Sequence, residues 1–105
     1  MTKEVTVTQL ASLSGPVVVD VREVDEFVSG HVPGALNIPL SELLERVGDV
    51  PTSPEVYVIC QAGGRSLRAC EHLSGLSQFS GTEFVNVAGG TGMWIVEGLE
   101  VAVGE

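Results

Sequence analysis

Positive charge is what this chain has least of. Five lysines and arginines face fourteen aspartates and glutamates, a formal net charge of −9, and no basic patch exists to hold a nucleic-acid backbone or an anionic membrane surface. Long apolar runs are missing too. Nothing approaches the roughly 20 apolar residues of a membrane span, and Met1-Thr2-Lys3-Glu4 lacks the apolar stretch that heads a secretory leader. These absences lead us to expect a cytoplasmic protein with neither nucleic-acid nor membrane partners. Cysteine occurs only twice, at Cys60 and Cys70, and without a Cys-x-x-Cys spacing. That argues against a disulfide framework and against a zinc site, and the sequence points to no metal and no cofactor. Repeats and low-complexity tracts are also lacking. What remains is 105 residues, 44% of them apolar, enough for one hydrophobic core and too few for two, so the expectation is a single domain over residues 1–105.

What is present centres on one stretch. Val56-Tyr57-Val58-Ile59-Cys60 reads as a buried strand, a short β-branched and aromatic run bounded by Pro54 before it and by Gly63-Gly64 after it. Beyond the glycines, Ser66 suits the N-cap of a helix in which Ala69, Cys70, Leu73 and Leu76 recur as one apolar stripe. Cys60 thus falls at the carboxyl end of a strand, the usual ligand crevice of an open α/β sheet, facing a loop whose glycines let backbone N–H groups converge on an anion. A cysteine with a pKa of about 8.5 is only about 3% thiolate at pH 7, whereas a pKa of about 6.5 makes it roughly three-quarters thiolate. That shift takes about 2.7 kcal/mol, more than the roughly 2 kcal/mol a helix terminus supplies at best, so the loop N–H groups and the charge of Arg65 are expected to contribute.

Elsewhere strands and helices alternate. Val5-Thr6-Val7 reads as a short strand, with Thr8 capping a brief helix from Gln9 to Leu13. The valine-rich run from Val17 to Val21 suggests burial on both faces, as in a parallel sheet with helices on either side. A helical piece around Val24 to Val28 stops at Ser29-Gly30, and Leu36-Asn37-Ile38 is a short strand. Ser41 to Val47 has an acidic first turn and a late Arg46, the polarity of a capped helix. Leu76 to Gly81 reads as a linker, Glu83 to Val87 as a strand, and Met93 to Glu97 as a short helix opened by Gly89-Gly90-Thr91-Gly92. Without a basic partner, that glycine cluster reads as a flexible turn letting Trp94 pack rather than as a second phosphate cradle. Cys70 lies on the apolar stripe and reads as a small buried residue rather than a resolving thiol, and His72 as a surface residue. The pattern predicts an α/β fold, a mainly parallel sheet of about five strands with helices on both faces.

The loop Cys60-Gln61-Ala62-Gly63-Gly64-Arg65-Ser66 resembles the active-site loop of single-domain rhodaneses, sulfurtransferases that carry a sulfane sulfur on one cysteine. Two more segments resemble that family and stand in its order: Val19-Asp20-Val21-Arg22-Glu23 leading to His31-Val32-Pro33-Gly34-Ala35-Leu36-Asn37-Ile38-Pro39, and Gly89-Gly90 followed by Trp94 and Gly98-Leu99-Glu100-Val101. The resemblance implies a rhodanese-like domain over most of the chain, with Cys60 as nucleophile and carrier. It implies that N–H groups from Gln61, Ala62, Gly63, Gly64 and Arg65 hold the terminal sulfur, the glycines letting the backbone close and Arg65 adding charge. Asp20 and Arg22 are then an acid and a base that tie neighbouring loops together. His31, whose type would otherwise suit a general acid or base for Cys60, becomes structural, and Ser66 supports the loop.

The expected reaction is therefore sulfur transfer. A small-molecule donor such as thiosulfate, or a persulfide on another thiol, loads Cys60; cyanide, glutathione or a protein thiol unloads it, which leaves room for a protein persulfide partner. Two other readings stay open. Cysteine phosphatases and arsenate reductases also cradle oxyanions, but as families they usually place five residues between Cys and Arg and a histidine before the cysteine. Here Gln61 to Gly64 intervene and Ile59 precedes, and the smaller loop suits a sulfur atom better. A non-catalytic rhodanese-like module that senses reactive sulfur or binds a partner is the other, weakened by the intact Cys60. No feature of the sequence sets the oligomeric state.

Overall fold

Residues 2–104 are described by a computed structural model. Its five strands are β1 (Lys3–Val5), β2 (Val18–Asp20), β3 (Leu36–Asn37), β4 (Glu55–Ile59) and β5 (Glu83–Val87), all parallel and in the order β1-β5-β4-β2-β3. Four helices, α1 (Val7–Ala11), α2 (Val24–Ser29), α3 (Gly64–Ser74) and α4 (Gly90–Val96), and three short 3-10 stretches surround it.

The side-chain alternation of the strands explains the layers. Along β4, Val56 and Val58 face the same way as Cys60 just beyond, and they pack with Ala69, Cys70 and Leu73 of α3. Tyr57 and Ile59 face the other way, against Val7 and Leu10 of α1 and Trp94 of α4. Val19 joins the first cluster and Val18 the second. Both sheet faces are thus covered, as a continuous apolar strand requires.

Strand order places the site. From β2 the chain moves outward to β3 at one edge, then returns to β4 on the other side of β2 and continues to β5 in the opposite direction. The direction of winding reverses between β2 and β4, where Asp20 sits level with Ile59. Loops leaving the carboxyl ends of those two strands part around one crevice. Cys60 and the Asp20–Arg22 segment therefore face each other across it.

Several boundaries differ from the sequence expectation. β1 lies two residues earlier because Thr6, not Thr8, caps α1: its Oγ1 accepts the Gln9 N–H at 3.1 Å, and Gln9 Oε1 accepts the Thr6 N–H at 2.8 Å. The region expected as an α-helix from Ser41 to Val47 forms two 3-10 stretches, Leu40–Glu45 and Val47–Asp49. Leu43 is its one buried residue, so no apolar stripe enforces the α period. The expected linker after Leu76 contains a 3-10 turn, Ser77–Phe79, which inserts Phe79 edge-on against Phe84 with ring centroids 5.2 Å apart. Among the described residues, no helix is long and apolar enough to cross a membrane.

Candidate active site

Cys60 is the first residue after β4, and α3 begins four residues later. Gly63 occupies the helix cap with φ of 111°, a left-handed conformation that glycine adopts without a Cβ penalty. This bend brings the Gly63 N–H to 3.1 Å from Cys60 Sγ, to which it donates. Ser66 is not the cap expected from the sequence. It sits inside the first turn of α3, fully buried, with its hydroxyl 3.3 Å from Cys60 Sγ and 2.5 Å from Asn86 Oδ1.

Two opposed influences act on Cys60. Burial, with only 1% of the residue exposed, pushes the thiol pKa up. The Ser66 hydroxyl and the backbone N–H groups of Ser66, Gly63 and Ala62 push it down, and their sum prevails, so the thiol ends below its ordinary value. Charge plays a smaller part than expected. Arg65 forms a two-point pair with Glu26 of α2, Nη1 to Oε1 at 2.8 Å and Nη2 to Oε2 at 2.9 Å, and its attraction to Cys60 is a lesser influence. The hydrogen bonds from Arg65 hold the Glu26 carboxyl at about 2, well under the usual range.

The other residues singled out from the sequence occupy distinct places. Gln61 and Ala62 are exposed, as is Gly64; Gln61 Oε1 accepts Arg22 Nη1 at 3.2 Å. Arg22 also donates through Nη2 to Asp20 Oδ2 at 3.0 Å and to the Gly30 carbonyl at 2.7 Å, so the buried Asp20–Arg22 pair reaches both the end of α2 and the cysteine loop. His31 is buried and stacks on Phe27 with ring centroids 3.7 Å apart; its Nδ1 lies 2.8 Å from the Phe27 carbonyl and its backbone pairs with Ala102. Its contacts lie with those residues rather than with Cys60. Cys70 is fully buried on α3, and burial pushes its thiol up to about 12. His72 is exposed.

Sequence reasoning missed two contributors. The glycine cluster is no flexible turn. A Cβ on Gly90, whose φ is 58°, would lie 2.4 Å from the Cys60 carbonyl oxygen and 2.6 Å from that of Gln61, so the close approach requires glycine. Just beyond it, the Thr91 N–H donates to the Cys60 carbonyl at 2.8 Å and the Gly92 N–H to the Gln61 carbonyl at 3.0 Å. The second contributor is Asn86, 1% exposed between Val85 and Val87 of β5. A polar residue inside an apolar strand was the available signal, because buried amides find partners.

A buried cysteine with a lowered pKa, facing N–H and O–H donors at the end of a central parallel strand, is an arrangement that favours the thiolate over the thiol. The family follows from comparison with known proteins: the family model for the rhodanese-like domain matches residues 6–97, and the chain belongs to that family. It is 31% identical over 97 residues to a sulfurtransferase of Allochromatium vinosum, a match covering 92% of this chain and 88% of that one. The uncharacterized protein YqhL of Bacillus subtilis is 43% identical over 76 residues, 72% of this chain and 58% of YqhL. The crystal structure of a rhodanese-related protein from Thermoplasma volcanium has a TM-score of 0.85 at 35% identity, covering 96% of this chain and 98% of that one. The chain spans from 23% to 58% of the length of three of the curated relatives it matches. Names of relatives as sulfurtransferases support a sulfur-transfer role.

Proposed function

We propose that the protein is a sulfurtransferase in which Cys60 takes a sulfane sulfur from a donor and passes it to a thiophilic acceptor. The observation that carries this reading is the pair of donors on Cys60 Sγ, the Gly63 N–H and the Ser66 hydroxyl, which lower the thiol pKa in spite of burial. With thiosulfate as donor, the Cys60 thiolate attacks the outer sulfur. An Sγ–S bond forms, the S–S bond of thiosulfate breaks, and its electron pair leaves on sulfite. The charge then rests on the terminal sulfur of the persulfide, near the N–H groups of Gln61 to Arg65. Cyanide attacks that sulfur, the new S–S bond breaks, its electron pair returns to Sγ, and thiocyanate departs.

In this reading Cys60 is nucleophile and carrier, and Gly63 and Gly64 let the loop close. Arg65 shapes the loop through Glu26 more than it supplies charge, while Asp20, Arg22 and His31 hold the surrounding segments. Thiosulfate serves as a test donor; the surface charge of −9 favours a basic protein carrying a persulfide as the more efficient one. Intact-mass measurement after thiosulfate treatment tests the reading. One sulfur atom is added, cyanide removes it, and Cys60→Ser shows no adduct, while aryl phosphates are hydrolysed only at background. An adduct that survives Cys60→Ser but vanishes in Cys70→Ser overturns the choice of thiol, and Cys60-dependent phosphatase turnover faster than sulfur transfer overturns the reaction.

A further inference from the structure

Ser66 has one hydroxyl hydrogen and two acceptors within reach. One is Asn86 Oδ1 at 2.5 Å, the other Cys60 Sγ at 3.3 Å. The orientation of the Asn86 amide is fixed by its surroundings: Nδ2 faces Glu4 Oε2 at 2.9 Å and the Gly63 carbonyl at 3.3 Å, both of them acceptors. Oδ1 is therefore the atom turned toward Ser66. Ser66 is fully buried and Asn86 1% exposed, so water does not stand in for a lost partner at either.

These contacts allow two arrangements. With Cys60 protonated, its S–H donates to Ser66 Oγ, the hydroxyl donates to Asn86 Oδ1, and every group is satisfied. Once the thiol proton has left to solvent, the hydroxyl turns to the thiolate and Oδ1 loses its donor. Loading sulfur moves the negative charge outward to the terminal atom and leaves Sγ bonded to two heavy atoms, a poor acceptor, so the hydroxyl returns to Oδ1.

We propose that Asn86 is a positioning residue for sulfur transfer: its side-chain carbonyl draws the Ser66 hydroxyl off Sγ whenever Cys60 is neutral or loaded, so that the hydroxyl serves only the bare thiolate. The loaded half of this cycle rests on the reading of Cys60 as the carrier. Its consequence is a carrier biased toward the loaded form, because the empty thiolate alone leaves a buried acceptor unpaired. Other charged and titratable groups around the site are Glu4 beyond Asn86, the Asp20–Arg22 pair, Arg65 paired with Glu26, and Cys70 with Glu71 on α3; apart from Cys70, which is alanine in every protein of the test, none of them is substituted in the variants below.

The test follows alkylation of Cys60 by iodoacetamide against pH in a Cys70→Ala background, which reads the thiolate whether or not the protein moves sulfur. Asn86→Leu keeps the shape without the carbonyl, and it lowers the Cys60 midpoint by about one pH unit, the scale of one buried acceptor no longer stranded. Ser66→Ala raises the midpoint, and the double variant lacks the downward shift that Asn86→Leu gives when Ser66 is present, since the Asn86 carbonyl reaches Sγ only through the hydroxyl. A side chain that merely held the loop would shift the midpoint upward when lost, as the N–H donors drift from Sγ. An unchanged or raised midpoint in Asn86→Leu, or an equal effect of Asn86→Leu with and without Ser66, overturns the proposal. An NMR arm covers a variant that does not fold: in the protein with Asn86 intact, the Asn86 side-chain carbonyl carbon shifts with the Cys60 midpoint, and the shift disappears in Ser66→Ala. A resonance that stays fixed, or one that still shifts in Ser66→Ala, also overturns it. Failure of sulfur loading in the mass measurement, with the alkylation pattern as expected, would instead remove the carrier reading and leave the hydroxyl alternation standing.

Discussion

Cys60 and Cys70 belong to the same hydrophobic cluster, stand ten residues apart and are almost equally hidden, at 1% and 0% exposure. Their thiols nonetheless move in opposite directions, Cys60 below its ordinary value and Cys70 up to about 12. Burial raises both. The difference is the set of donors: Cys60 has the Ser66 hydroxyl and three backbone N–H groups, while only further raising influences, from Glu71, Cys60 and Glu4, accompany burial at Cys70. A loop that turns its N–H groups inward does what the middle of a helix cannot, because helical N–H groups are already bonded along the axis.

The largest expected effect sharpens this contrast directly. At pH 8, iodoacetamide should modify Cys60 at least about a thousandfold faster than Cys70 in native protein, since so few Cys70 thiols ionise there. Peptide mapping after timed quenching measures it, and comparable rates would erase the distinction. Gly90→Ala attacks the donors from behind. The added methyl meets the Cys60 and Gln61 carbonyls, and a loop displaced by about 1 Å should load sulfur about a hundredfold more slowly. Stopped-flow loading, with thermal unfolding to verify the fold, checks this; an unchanged rate would show that α4 does not set the loop.

Much of this region was legible from local pattern, and the parts that were not share a cause. The β4 run, the glycines and the α3 stripe each announce themselves within a few residues, so the strand, loop and helix around Cys60 were readable. The cap was misassigned because a φ of 111° at Gly63 leaves no mark on composition, whereas serine at a helix start is a strong signal. Arg65 seemed free to support the thiolate because its partner Glu26 lies 39 residues away in sequence. Asn86 and Gly90 meet the loop only once β5 is placed beside β4. Long-range contacts of this kind depend on strand order, which one sequence does not spell out.

A smaller effect concerns the charge that the sequence had assigned to the thiolate. Glu26 holds a pKa of about 2 against an ordinary value of 4.5, so the folded state binds its proton less readily than the unfolded one. The pair therefore stabilises the protein above about pH 4.5 and loses that contribution as pH falls toward 2. With the two side chains 33% and 32% exposed, the loss should be about 1 kcal/mol or less. Thermal unfolding over that range should fall more steeply for the wild type than for Glu26→Gln, and parallel curves would remove the pair from the account.

Smallest of all should be the response to salt. Thiosulfate is a dianion meeting a surface of −9, and raising ionic strength from 0.01 to 0.15 M shortens the Debye length from about 30 to about 8 Å. Loading by thiosulfate should rise a few-fold over that range, while loading by a basic persulfide carrier should fall. A steep fall for thiosulfate would mean that Arg65 governs the encounter after all, and with it the balance between charge and hydrogen bonding at Cys60.

The clamp formed by α4 has a consequence for anyone who would move this chemistry into another scaffold. A peptide unit is a rigid plate, so fixing its carbonyl fixes the N–H on its opposite side. By holding the Cys60 and Gln61 carbonyls, Thr91 and Gly92 set the directions of the Gln61 and Ala62 N–H groups, the second of which acts on the sulfur. The seven-residue loop is thus only half of a portable unit. Grafted alone onto a foreign strand and helix, it would keep its residues and lose its aim, as its plates swivelled to find other donors. The smallest piece worth transplanting carries β4, the loop, α3, β5 and the Gly-Gly-Thr-Gly start of α4 together.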